Sequence, residues 1–179
     1  MGATAGRAQD ARVIMPTESV FIGIGSNLGD SRTLVEAAID AMSRIACTTL
    51  RARSSLYRSE PLGDTPQPDY INAIARLDCG LEPAALLREL QSIENAHDRR
   101  RDPEHRWGPR TLDLDIILFG DCQINNSHLT VPHQELANRR FVLEPLFEID
   151  GNRFIPGYGH LNDLIDSAPP MHLERLSSD

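Results

Sequence analysis

Apolar and polar positions along this chain alternate with two periods, and the changes between them mark the elements. Val20 to Ile24 is a short apolar run, read as a buried strand. Gly25-Ser26-Asn27-Leu28-Gly29-Asp30 follows as a turn. Asp30 or Ser31 then caps a helix whose apolar stripe is Leu34, Ala38, Ala41 and Ile45. A second strand is predicted over Thr48 to Arg58. Ser59 to Pro68 holds Pro61, Pro66, Pro68 and Gly63 and reads as a loop. From Tyr70 to Leu77 the period is two. Ile71, Ala73, Ala75 and Leu77 take one side, and Tyr70, Asn72, Ile74 and Arg76 the other.

Pro83 suits the first position of a helix striped by Leu86, Leu90 and Ile93. Residues 99 to 110 are polar and arginine-rich, a loop. Leu112 to Phe119 is a strand that Gly120-Asp121 ends. Asn138 to Glu148 reads as a short helix despite Pro145, and another is predicted near Leu161 to Ile165. The order is β-α-β-β-α-β with extra C-terminal elements. That order predicts a ferredoxin-like α+β fold, an antiparallel sheet with helices on its faces. The expected organisation is a disordered extension over residues 1–18, one catalytic domain over 19–168 and a mobile tail over 169–179.

Composition narrows the function classes. Apolar residues make up 40% of the chain and charged residues 25%, as in an ordinary globular core with a solvated surface. A formal net charge of −8 is a poor match to the phosphate backbone of DNA or RNA, so no nucleic-acid partner is expected. No apolar run approaches the ~20 residues that cross a bilayer, so no membrane partner is expected. The first 18 residues lack the apolar stretch of a secretory signal, and Met15 offers an alternative start. Cys47, Cys79 and Cys122 are odd in number and far apart, which argues for reduced thiols and a cytoplasmic location. All 18 basic residues are arginine. A P-loop lysine and a Schiff-base lysine are therefore excluded, and any phosphate must be gripped by arginine, backbone N–H groups or metal.

The sharpest chemical signal is Asp113-Leu114-Asp115 inside an apolar strand. Period two puts both carboxylates on one face, with Cα atoms about 6.5 Å apart. Like charges that close need a positive partner between them. Mg²⁺ is the natural one, because it accepts carboxylate oxygens together with substrate phosphates, and a pair of ions also fits. Ile116, Ile117 and Leu118 argue against a polar face lying in water, since the run becomes apolar on both sides. Upstream, Arg99, Arg100, Arg101, Arg106 and Arg110 place five of 18 arginines within 12 residues. Guanidinium forks bind phosphate oxygens in bidentate fashion, so the loop and the acidic pair together read as a polyphosphate site. Trp107-Gly108-Pro109 either stacks on a ring or shapes the loop. Gly23-x-Gly25-x-x-x-Gly29 resembles a dinucleotide fingerprint, but no acidic residue ends the next strand and no crossover helix separates the second and third strands. A tight turn opening a capped helix is the expected reading, with Gly25-Ser26-Asn27 bordering a ligand. Tyr70 and Asn72 share a strand face, a flat ring beside an amide that can pair with a heterocycle edge.

Five stretches together resemble a known family: Phe21 to Gly29, Glu60-Pro61-Leu62-Gly63, Gln67 to Ala73, Arg106 to Asp115, and Leu129-Thr130-Val131-Pro132-His133. They are similar to the bacterial 6-hydroxymethyl-7,8-dihydropterin pyrophosphokinases of folate biosynthesis, from about residue 19 to 166. The resemblance implies a monomer that moves the β,γ-diphosphoryl unit of ATP to the pterin hydroxymethyl group. It implies two Mg²⁺ ions on Asp113 and Asp115. It places Leu62, Tyr70, Asn72, Trp107 and Phe141 at the pterin. It places Gln91, Glu94, Arg110, Ile116, Thr130, His133 and Arg139 at ATP, and it makes Arg99, Arg101 and Arg110 catalytic. Gln134 stands where the family pattern has an aromatic residue.

Overall fold

The computed structural model describes residues 16–63, 66–97 and 108–177. Strand β1 (Glu18–Ser26) leads into helix α1 (Ser31–Met42). Strands β2 (Thr48–Arg53), β3 (Tyr57–Ser59) and β4 (Tyr70–Cys79) follow, then helix α2 (Pro83–Ala96) and strand β5 (Asp113–Phe119). Two short hairpins, β6 (Ile124–Asn125) with β7 (Thr130–Val131) and β8 (Phe154–Ile155) with β9 (Gly159–His160), flank helix α3 (Arg140–Asp150). Helix α4 (Leu161–Ser167) and strand β10 (Leu173–Arg175) end the described chain.

The main sheet has six strands, all paired antiparallel, in the order β10-β3-β4-β1-β5, with β2 also on β4. Counting β2 and β3 as one interrupted strand gives the ferredoxin-like β-α-β-β-α-β core. The dinucleotide-fingerprint reading of the glycine turn needs a parallel βαβ unit, which this sheet lacks.

Both faces of the sheet are covered. Val20, Ile22, Ile24, Ala73, Ala75 and Leu77 pack with Leu86 and Leu90 of α2 and with α1. Phe21, Ile74, Ile117 and Leu118 pack with Leu143 and Leu146 of α3 and with Leu161 of α4. The period-two split read along β4 is therefore a split between two cores. In β5 the register slips between Phe21 and Ile22, so that Ile117 is an extra residue. This bulge turns both Ile117 and Leu118 toward α3.

The helices follow their sequence signals with shifts. Asp30 caps α1, its Oδ1 accepting from the Thr33 backbone N at 3.1 Å and its Oδ2 from the Thr33 hydroxyl at 2.8 Å. These bonds hold the Asp30 carboxyl below its usual range. The buried stripe is Val35, Ala38, Ile39 and Met42, and the expected Leu34 and Ala41 flank it. A cap at Asp30 fixes the rotation, and positions i, i+3, i+4 and i+7 from Val35 then face the sheet. Helix α3 begins at Arg140, after a 3₁₀ turn over Leu136–Asn138, and ends at Asp150 rather than Glu148. Pro145 costs it one backbone bond, to the Phe141 carbonyl.

One expectation is corrected. The strand predicted over Thr48 to Arg58 is broken at Ser54. There the Ser54 N donates to the Ile74 carbonyl (2.8 Å) and the Ser54 hydroxyl accepts from the Ile74 N (2.9 Å). A side chain replaces a backbone acceptor, and Ser55 N turns away to Glu148 at 3.1 Å. Strand β10 lies within residues 169–179 and takes up the edge that the three-residue β3 leaves. Truncating Leu90, fully buried in the first core, should cost about 2–5 kcal/mol in urea denaturation. A loss below 1 kcal/mol would contradict the packing described.

Candidate active site

The acidic pair sits where the sheet leaves room for it. Across from Asp115 on β1 is Gly23, and across from Asp113 is Gly25. A Cβ on Gly23 would stand 3.0 Å from Ile117 Cδ1, and one on Gly25 3.5 Å from Asn72 Oδ1. Two glycines thus keep a floor open beside the carboxylates. From the edge of β5, Glu94 of α2 accepts a bond from the Leu114 N at 2.8 Å. Glu94 is 1% exposed, so this buried carboxylate fixes the backbone residue between the two aspartates.

Positive groups surround the pair. Arg110 donates to Asp113 Oδ2, and Arg139 Nη1 approaches Asp115 Oδ2 at 3.4 Å. His133 Nε2 lies 3.7 Å from the same oxygen. Glu135 N donates to His133 Nδ1 at 3.1 Å, so the ring proton sits on Nε2. Burial, and then the Arg139 charge, push the His133 pKa down to about 4. His133 therefore faces Asp115 as a neutral donor at neutral pH.

Two cavities meet at Asp115. The first is lined by Leu62, Tyr70, Asn72, Phe141, Arg110, Arg139, Asp113 and Asp115. Asn72 Nδ2 donates to the Ser59 hydroxyl at 2.9 Å, which leaves the carboxamide oxygen toward Gly25 and the cavity. The Tyr70 hydroxyl reaches the Gly108 carbonyl at 3.4 Å. The Arg139 guanidinium lies 5.9 Å from the Phe141 ring centroid, a cation–π contact. The second cavity is polar and is lined by Ile116, Thr130, His133, Gln134 and Asp115 among others.

The sequence-selected residues thus divide into groups. Leu62, Tyr70, Asn72, Phe141, Arg110 and Arg139 converge on the first cavity, and Ile116, Thr130 and His133 on the second. Gln91 and Glu94 line neither. Arg99, Arg100, Arg101, Arg106 and Trp107 lie outside the described residues. Among the described residues no three His, Cys, Asp or Glu side chains converge as a metal cage. Two carboxylates on one face suit Mg²⁺ nonetheless, since it keeps several waters and takes further oxygens from a substrate phosphate.

Asn27, expected to border a ligand, also has a structural part. It is 2% exposed. Its Oδ1 accepts from Arg110 N at 2.7 Å, and its own N and that of Leu28 donate to the Arg110 carbonyl at 3.0 and 3.2 Å. Its Nδ2 donates to Gln67 Oε1 (3.0 Å) and the Pro68 carbonyl (3.1 Å). One buried amide ties the entry to β4 to the entry to β5.

Comparison with known proteins now decides the family. The family described as 7,8-dihydro-6-hydroxymethylpterin-pyrophosphokinase (HPPK) matches residues 21–151. The chain belongs to this family. Its relatives include the 2-amino-4-hydroxy-6-hydroxymethyldihydropteridine pyrophosphokinase of Haemophilus influenzae, 45% identical over 82% of this chain and 91% of that protein. The Pseudomonas aeruginosa protein of the same name is 44% identical over 89% of this chain and 97% of its own length. Among solved structures, a Plasmodium falciparum HPPK-DHPS triple mutant superposes with TM-score 0.67 at 12% identity. It covers 87% of this chain, which spans 45% of that longer protein. That likeness shows the shared fold.

Replacing Asn27 by alanine should remove on the order of 2 kcal/mol of stability, because buried partners lose their bonds. Urea denaturation of this family member checks it. A variant as stable as the parent would remove Asn27 from the frame of the site.

Proposed function

We propose that the chain transfers the β,γ-diphosphoryl unit of ATP to the hydroxymethyl oxygen of 6-hydroxymethyl-7,8-dihydropterin, releasing AMP. The observation that carries this reading is the meeting of an aromatic cavity and a polar cavity at Asp115. The family and the names of its relatives support it. Asn72 pairs with the edge of the pterin, and Phe141 and Tyr70 supply flat apolar contact in the first cavity. Thr130, His133 and Ile116 border the nucleotide in the second.

The acceptor oxygen attacks the β-phosphorus, the bond from that phosphorus to the AMP oxygen breaks, and the hydroxyl proton leaves to water. Such transfers need little covalent help from side chains, because positioning and charge neutralisation supply most of the rate. Asp113 and Asp115 would hold Mg²⁺, as two ions in this reading, which when bound would neutralise phosphate charge and lower the hydroxyl pKa. Arg110 and Arg139 already stand beside the two carboxylates and offer forks to the phosphate oxygens. The family resemblance assigns Arg99 and Arg101 to catalysis, Trp107 to the pterin and Gln91 and Glu94 to ATP. The enzyme works as a cytoplasmic monomer on small molecules. No helix among the described residues is long and apolar enough to cross a membrane.

Incubation with ATP, Mg²⁺ and the pterin should yield AMP and pterin diphosphate in step, and a chelator should stop both. ADP as the nucleotide product would overturn the diphosphoryl reading. Asp115→Asn should lower turnover by about a hundredfold or more while circular dichroism stays unchanged. Turnover near that of the parent would remove Asp115 from the site.

A further inference from the structure

The C-terminal strand lies beyond the residues that match the family, 21–151, yet it is joined to the aromatic cavity. That cavity has two walls built by different elements. Ser59, Glu60 and Leu62 form one, at and after β3, and Phe141 and Val142 form the other, in the first turn of α3. Strand β3 is only three residues long. It is held on one side by β4 and on the other by β10, with Leu173 opposite Ser59 and Arg175 opposite Tyr57. Leu176 N extends the ladder to the Leu56 carbonyl at 2.8 Å, and His172 N reaches Glu60 Oε1 at 3.4 Å.

Glu148, about two turns along α3 from Phe141, joins the walls. Its carboxylate accepts from the Ser55 hydroxyl at 2.8 Å, the Ser55 N at 3.1 Å and the Tyr57 hydroxyl at 2.9 Å. Arg175 of β10 completes the knot, Nη2 to Glu148 Oε1 and Nε to the Ser55 hydroxyl, both at 2.9 Å. Burial and the Glu148 contact push the Tyr57 pKa up to about 12, so its hydroxyl stays a donor to Glu148 across the working pH range. Every group in this knot lies outside the set that faces the phosphates.

We propose that Arg175 is a positioning residue that, through Glu148, holds the β3 wall and the α3 wall of the aromatic cavity at fixed separation and so sets the affinity for the planar acceptor. The proposal rests on the pterin reading given above. Substrate contacts are untouched by changes at Arg175, so the effect is confined to binding of one substrate.

The test is steady-state kinetics of the full chain with both substrates varied. Arg175→Ala should raise KM for the pterin roughly threefold, the size that a largely exposed ion pair carries. Arg175→Lys, which keeps the charge and loses one donor, should fall between. Glu148→Gln should raise the same KM about tenfold, because Glu148 is the hub of the charge-assisted bonds. The ATP KM and kcat should stay within about twofold of the parent. An unchanged pterin KM in both Arg175→Ala and Glu148→Gln overturns the proposal. So does an equal rise in both KM values or a fall in kcat alone, which general loosening gives. Absence of pterin turnover in the unaltered chain would contradict the functional reading itself, whereas turnover with unmoved KM values in the variants contradicts only the role of Arg175.

Discussion

Two negative charges on one strand face are the constraint around which this molecule is arranged. Like charges on neighbouring same-face positions repel, and the repulsion costs stability unless positive groups offset it. Each element near them answers that cost. Arg110 and Arg139 each pair with one aspartate. Gly23 and Gly25, opposite Asp115 and Asp113 on β1, leave that side of the first cavity without side chains. Glu94 locks the Leu114 backbone between them from the edge. Asn27 fixes the Arg110 backbone that enters the strand. The site is a strand held rigid so that two like charges remain where water alone would not keep them together.

Periodicity made much of this legible. Period two in β4 separated residues of two cores, and the same rule put Asp113 and Asp115 on one face. The apolar run after Asp115 signalled a covered strand, and its cover is α2 on one face and α3 and α4 on the other. What stayed hidden depends on partners distant in the chain. The break after Arg53 exists because the Ser54 hydroxyl meets Ile74, 20 residues away. Strand β10 forms because β3 offers an edge 116 residues upstream of Glu174, where Arg58 also pairs with it. Asn27 looks like an ordinary turn residue until its partners 40 and 83 residues away are in view. The bulge at Ile117 follows from pairing with β1 and has no local sign.

The likeness to a solved structure at 12% identity makes the same point from the other side. What persists at that distance is the fold. Chemistry then depends on a few polar side chains placed on that frame. Here the aromatic cavity and the acidic pair draw on β1, the loop after β3, the start of β4, the strand β5 and the start of α3, while the polar cavity draws on β5, the β6–β7 hairpin and His133. Tying those segments together is the work of the buried Asn27, Asn72 and Glu94 and of the more exposed Glu148, none of which is assigned as a metal ligand.

The central claim is that the acidic pair holds the cation that binds nucleotide. Binding of Mn²⁺, a spectroscopic stand-in for Mg²⁺, measured with an α,β-methylene analogue of ATP, tests it most directly, because the analogue cannot be cleaved at the bond in question. The parent chain should bind Mn²⁺ in a nucleotide-dependent manner, and Asp113→Asn and Asp115→Asn should each weaken it by about tenfold or more. Equal Mn²⁺ binding in the parent and both variants would contradict the account.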